Sequence, residues 1–272
     1  MNVHPENTNL LQFTILTNQE GVEHFCTTRK GGVSKGEFSS FNLGNFSDDD
    51  TTDIYENRQI LARMWYMDDK DFIVPHQTHS NKVLVIDREF QQLDSSSRID
   101  SLYGVDATIT NLKKIFLCVT TADCVPVLIF DTKNKVIAAI HAGWRGIVQD
   151  ILENTIEKMK EVFQSNPTDF IATIGPSISA KNYEVGDDLV AEFKKKKVDL
   201  KETSYLNKET NKLHLDLNKI TYNQLVKLGV PATQIETSQL CTFDNDELFF
   251  SARRQSIHCG RMLTGIKLKG RE

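Results

Sequence analysis

Two histidines and a cysteine, far apart in the chain but each set beside an expected strand end, are the side chains best suited to chemistry. His79 closes the polar loop Pro75-His-Gln-Thr-His79, Cys124 closes Thr120-Thr-Ala-Asp-Cys124, and His141 opens His141-Ala-Gly-Trp-Arg-Gly146. Each has a plain structural alternative: an exposed loop histidine, a buried thiol behaving as a small hydrophobe, a satisfied core histidine. Read together they gain weight, because strand ends can converge on one rim of a sheet. Two imidazoles and one thiolate suit zinc, and three protein ligands leave a fourth position for water or substrate. No fourth side chain nearby closes the set, so the expected site is open, of the catalytic kind. Asp123, beside the thiol, is the nearest carboxylate for moving protons. Gly143 and Gly146 let backbone approach a ligand, and the free N–H groups of a helix start favour an anion. Arg145 adds a guanidinium fork suited to phosphate or carboxylate, and Arg29 is a second candidate for a phosphate cradle. The alternative for this segment is a glycine-permitted turn anchored by Trp144.

The elements that must hold these residues follow from hydrophobic period. Phe72 to Val74 and Val83 to Ile86 read as short strands around the polar turn 75–82. Ile115 to Val119, Val125 to Phe130 and Val136 to Ile140 are apolar runs of strand length. The spacing of Ile147, Val148, Ile151, Leu152, Ile156, Met159 and Phe163 then predicts one amphipathic helix. Phe170 to Ile174 reads as a strand, Asp187 to Lys197 as a helix, and Asp216 as the cap of a helix running to Leu228. The first third reads as strand and turn, and Leu248 to Ser251 as a late strand. Strands at both ends with helices between predict an α+β fold.

Composition narrows the function. The 272 residues are 39% hydrophobic and 25% charged, with six prolines and fourteen glycines, enough for one large packed domain spanning 1–272. No linker or repeat divides it. No apolar run has transmembrane length, and the first residues lack the pattern of a secretory signal. Net charge is −5, and the one dense basic run, Lys194 to Lys197, solvates a helix end. Nucleic acid and membrane are therefore not expected partners. Five cysteines, odd in number and with no C-x-x-C pair, fit a cytoplasmic protein with free thiols.

The motifs together resemble the YfiH-type family, also called laccase-domain proteins or peptidoglycan editing factors. The resemblance rests on Thr27-Thr-Arg-Lys-Gly-Gly-Val-Ser34, Phe41-Asn-Leu-Gly44, Glu56-Asn-Arg58, Gln77-Thr-His79, Ala122-Asp-Cys-Val-Pro126, His141-Ala-Gly-Trp-Arg-Gly146, Ile174-Gly-Pro176 and Phe249-Phe-Ser-Ala-Arg-Arg254. It implies zinc on His79, Cys124 and His141, with His76 outside the ligand set. It implies a layered sandwich of mixed β-sheets with flanking helices. It also implies an activity: phosphorolysis of adenosine, inosine, guanosine and methylthioadenosine to base plus sugar 1-phosphate, and deamination of adenosine to inosine. Ser251-Ala252 departs from the Ser-Tyr that relatives often carry there, which removes an aromatic contact.

Zinc brings water within reach of deprotonation near neutral pH, which suits attack at C6 of adenine, and Asp123 is the candidate proton shuttle. Purine nucleosides and phosphate are then the partners of a monomer or weak homodimer. Three rival classes use the same residues: a metal-free hydrolase with Cys124 as nucleophile and His141 as base, acting on a peptidoglycan precursor; a copper-dependent polyphenol oxidase, since two His and one Cys also bind copper; and a non-catalytic binding module. Seven histidines with no H-x-H pair argue against a multicopper cluster.

Overall fold

The structure, a computed structural model, describes residues 1–270. Two six-stranded sheets dominate it. The first runs in the order Asn2–His4, Asn7–Gln12, Val22–Thr27, Met262–Leu268, Phe116–Thr121, Phe72–Ile73. Its pairs are antiparallel except the last. The second runs Ile235–Thr237, Phe170–Ile174, Val125–Asp131, Val136–Ala142, Ala107–Thr110, Val83–Val85, antiparallel within and parallel at both edges. A three-stranded sheet of Glu184–Val185, Lys212–Leu215 and Ser204–Asn207 completes the fold.

Strand alternation sorts the side chains into layers. In Phe116–Thr121, Leu117 and Val119 join Phe13, Leu128 and Phe130 in one core, while Phe116 and Cys118 pack on the opposite side with Phe25 and Leu61. In Val136–Ala142, Ile137 and Ala139 belong to the first of these cores and Ala138 and Ile140 to a third. The shared core therefore lies between the two sheets. The helix Thr51–Met64 covers the outer face of one sheet; Ile151–Phe163, Asp187–Lys195 and Leu217–Lys227 cover that of the other. The layers are helix, sheet, sheet, helices: an α+β sandwich with mixed sheets, as expected. Among the described residues no helix is long and apolar enough to cross a membrane.

Several elements differ from the sequence reading. The expected helix from Ile147 to Phe163 is two, Trp144–Val148 and Ile151–Phe163, broken where Asp150 takes a left-handed conformation (φ 67°). Leu248 to Ser251 forms no strand; Phe249 and Phe250 are fully buried in irregular backbone against Cys26 and Met262. The strand Met262–Leu268 escaped notice although it joins Val22–Thr27 to Phe116–Thr121. Its Gly265, a poor strand former, is required because a Cβ there would stand 2.8 Å from the Cys118 sulfur. The helix Thr51–Met64 also lies in the region read as strand and turn; Asp50 caps it by accepting the Thr52 N–H.

Two chain crossings position the site. Phe72–Ile73 and Phe116–Thr121 lie parallel in the first sheet, and each is followed by a segment that passes to the second sheet, as Val83–Val85 and Val125–Asp131. The two crossings therefore leave the same end of the sandwich. One carries His79, the other Cys124. Val136–Ala142 runs antiparallel to Val125–Asp131, with His141 opposite Pro126, so its last residues return to that end.

Candidate active site

The three expected ligands meet. His79, Cys124 and His141 offer donor atoms that all lie within 4.8 Å of one another. The Cys124 Sγ is 3.7 Å from His79 Nε2, and the two imidazole rings are 4.9 Å apart at 75°. Among the described residues no fourth His, Cys, Asp or Glu joins them. Three donors so placed could hold one metal ion and leave it an open position. His79 and Asp123 both adopt positive φ, 62° and 90°, which their tight crossings demand.

Each crossing is tied to both sheets. Gln77 acts like a strand partner for Thr120: its Nε2 donates to the Thr120 carbonyl (2.8 Å) and its Oε1 accepts the Thr120 N–H (2.7 Å). On the other side the loop is held by Asp106, wholly buried just before the strand Ala107–Thr110. Its carboxylate accepts the backbone N–H groups of Thr78 (3.1 Å), His79 (3.1 Å) and Ser80 (2.8 Å), and His141 Nδ1 at 2.7 Å. Sequence reasoning missed Asp106. Nothing local sets it apart: the strand it precedes, Ala-Thr-Ile-Thr, alternates apolar and hydroxyl-bearing residues, so an acid there interrupts no apolar run.

Burial opposes ionisation of the Cys124 thiol, but His141 and His79 outweigh it and bring the thiol down to about 6. Burial likewise disfavours a charged His141 ring; the Cys124 sulfur and Asp106 outweigh that and move it up to about 9. Asp106 is held below the usual carboxylate range, burial notwithstanding, by His141 and the Ser80 amide.

The triad opens into a cavity of about 500 Å³. Trp144, Tyr183, Phe46 and His76 line it, with Phe46 stacked on His76 at 3.7 Å between ring centres. His76 thus serves the wall, apart from the three donors. Asp123 also lines the cavity and is the one acidic residue that does so among those described. Its Oδ1 accepts from the Thr242 hydroxyl (2.6 Å) and its Oδ2 from the Arg253 backbone N–H (2.7 Å).

The two arginines expected to cradle phosphate lie elsewhere. Arg29 donates to the carbonyls of Ser39 and Asp246 and covers the Phe250 ring, knitting loops together. Arg145 is exposed, stacked 4.3 Å over Trp144, and does not line the cavity. The helix that holds it, Trp144–Val148, is only five residues long. Arg253 and Arg261 line the cavity instead. Both stand in or near the late Ser-Ala-Arg-Arg motif, whose second arginine, Arg254, is spent on the carbonyls of Thr242, Phe243 and Phe249.

The chain is similar to known proteins over most of its length. The chain is 39% identical over 259 residues to a purine nucleoside phosphorylase of Bacteroides thetaiotaomicron, covering 95% of this chain and 96% of that protein. It is 41% identical over 251 residues to the adenosine deaminase RL5 of an unknown prokaryotic organism, covering 92% and 95%. The crystal structure of YfiH from Bacillus licheniformis superposes with a TM-score of 0.85 at 31% identity, over 91% of this chain and 93% of that one. The model of the family described as multi-copper polyphenol oxidoreductase laccase matches residues 23–269, and the chain belongs to that family.

Proposed function

We propose that this protein is a zinc-dependent purine nucleoside enzyme. It phosphorolyses adenosine, inosine, guanosine and methylthioadenosine to base plus sugar 1-phosphate, and deaminates adenosine to inosine. The observation that carries the reading is the open His79–Cys124–His141 set lining a cavity with aromatic walls and two arginines. The names of the two relatives, a purine nucleoside phosphorylase and an adenosine deaminase, support both activities.

Two imidazoles and a thiol already near deprotonation are a donor set that fits zinc. Zinc held there supplies Lewis-acid activation of water or of a substrate oxygen. The remaining work falls to the protein. Trp144, Tyr183 and the Phe46–His76 stack offer flat faces to a purine. Arg253, whose Nη1 is anchored on the Glu184 carbonyl (3.0 Å), gives the cavity positive charge to receive phosphate; Arg261 adds charge to the wall while its guanidinium donates to the carbonyls of Ile257, Cys259 and Gly260. Asp123 is the proton carrier: each oxygen accepts one hydrogen bond and retains a second lone pair for a water or a leaving amine. In deamination it takes a proton from the attacking water and returns it to the departing nitrogen.

All three ligands come from one chain, so the site needs no second copy, in keeping with a monomer or weak homodimer. The five free cysteines suit a reducing compartment, the cytoplasm. A second reading has one observation in its favour: a thiol at about 6 beside an imidazole is an activated nucleophile in metal-free protein. Zinc on the sulfur would silence it, so turnover that chelators leave intact marks that hydrolase. Copper suits the same three donors, but the described residues hold this one His- and Cys-bearing cluster, too few ligands for a multicopper centre.

The test is direct. Purified protein incubated with adenosine should give inosine without phosphate, and adenine plus ribose 1-phosphate with it. Absence of all three products from zinc-loaded protein contradicts the reading.

A further inference from the structure

We propose that Asp106 is the positioning residue that assembles the metal site in advance of the ion, fixing the His141 ring and the His79 loop with one carboxylate. The inference rests on reading the triad as a metal site, and is independent of which substrate that site turns over.

An ionised carboxylate has two oxygens and about four lone-pair sites, and no donor. Asp106 meets four donors. Oδ1 takes His141 Nδ1 and the His79 N–H; Oδ2 takes the Thr78 and Ser80 N–H groups. The group is wholly buried, so it has no solvent to fall back on. Because a carboxylate can only accept, the proton between it and His141 sits on Nδ1, which leaves Nε2 to face Cys124 and His79. Three successive amides converging on the same group set the loop at Thr78–Ser80, and with it the positive φ of His79. Two of the three ligands, one in a crossing between the sheets and one near the end of the strand Val136–Ala142, are thus oriented by one side chain. Such outer partners of ligating histidines tune metal affinity strongly.

Asparagine has the same shape but cannot replace this carboxylate. With its NH₂ towards Oδ1's partners it confronts the His79 N–H and invites His141 to move its proton to Nε2, the ligating nitrogen. Turned over, it confronts the amides of Thr78 and Ser80.

The experiment compares wild type and Asp106→Asn for folding by circular dichroism and thermal melting, and for zinc affinity by competition with a chromophoric chelator. Cobalt(II) absorption reports the ligand field of the site. We expect a folded variant with zinc affinity lowered about 10–100-fold and a changed thiolate-to-cobalt band. Wild-type affinity and spectrum in the folded variant overturn the proposal. If the variant does not fold, proton NMR of the metal-free wild type decides. A slowly exchanging, downfield Nδ1–H resonance, identified by its loss in His141→Gln, is expected before any zinc is added. Its absence until zinc is present overturns the proposal. None of these readouts requires nucleoside turnover, so failure here and failure of the nucleoside reading are separable.

Discussion

A Cβ on Gly143 would stand 2.8 Å from Cδ2 of His79 and 3.2 Å from the Cys124 sulfur. The backbone of Gly143 is therefore one wall of the candidate metal site, and the missing side chain is what lets His79 and Cys124 approach. Its φ of −72° is open to any residue, so the requirement is space at the ligands. Gly143→Ala should fold normally, with thermal melting close to wild type, yet bind zinc at least about tenfold more weakly as the His79 ring is pushed aside. Chelator competition checks this; unchanged affinity would mean the ring has room that the structure denies it.

His24 sets an acid limit on stability. It is buried, and its Nε2 accepts the Phe13 N–H at 2.7 Å, which requires the neutral ring. Burial, above all, lowers it to about 4 from the usual 6.5 of a histidine. The unfolded chain takes up the proton first, so acid favours unfolding. The stabilisation is complete above about 6.5 and is lost as pH falls towards 4, to a total of about 3 kcal/mol, before levelling off. Urea titrations across that window should show the slope in wild type and lose most of it in His24→Gln. An equal slope in both assigns the acid sensitivity to other groups.

Arginine position makes a sharp comparison. Arg253 lines the cavity and Arg145 does not. A charge-assisted hydrogen bond contributes about 1.5–3 kcal/mol, so Arg253→Ala should raise the KM for phosphate about 10–100-fold, with adenosine deamination much less affected. Arg145→Ala should move the phosphate KM less than about threefold. Initial rates with varied phosphate give the ranking, and the reverse order would restore Arg145 as the anion ligand.

Asn57 explains why so much of the N-terminal motif set lies away from the metal. It is fully buried; its Nδ2 donates to Ser34 Oγ and to the carbonyls of Ser40 and Asn42, and its Oδ1 accepts the Val33 N–H. Asn42 in turn accepts the N–H groups of Gly44 and Arg261. These side chains bind the loops 31–44 to each other and to the segment leading to Met262–Leu268. Asn57→Ala leaves several buried partners unmet, and should cost about 3 kcal/mol of stability while zinc affinity in the folded protein stays within about twofold. Denaturant midpoints and chelator competition separate the two effects.

The meeting of His79, Cys124 and His141 was legible because each combined an uncommon residue type with a strand end. The buried strands Val125–Asp131 and Val136–Ala142 were legible because their apolar runs left no other reading. What escaped shares a different physics. The helix Thr51–Met64 buries little beyond Ile54, Asn57, Leu61 and Ala62, so its period is faint. Met262–Leu268 is interrupted by Thr264, Gly265 and Lys267, and is a strand only because both its neighbours are. Asp106 and Arg253 owe their places to hydrogen bonds and contacts across the fold, which no local pattern carries. Arg145, beside the most distinctive motif, drew attention through its neighbours and lies on the surface.

Cys124 is where the account is most exposed. Metal analysis and product chromatography on Cys124→Ala, beside wild type purified in the same way, test it most directly. We predict about one zinc per wild-type chain, and in the variant the loss of both the zinc and the conversion of adenosine to inosine and adenine. Undiminished turnover by zinc-free protein would contradict the claim that this His–Cys–His set is a catalytic metal centre.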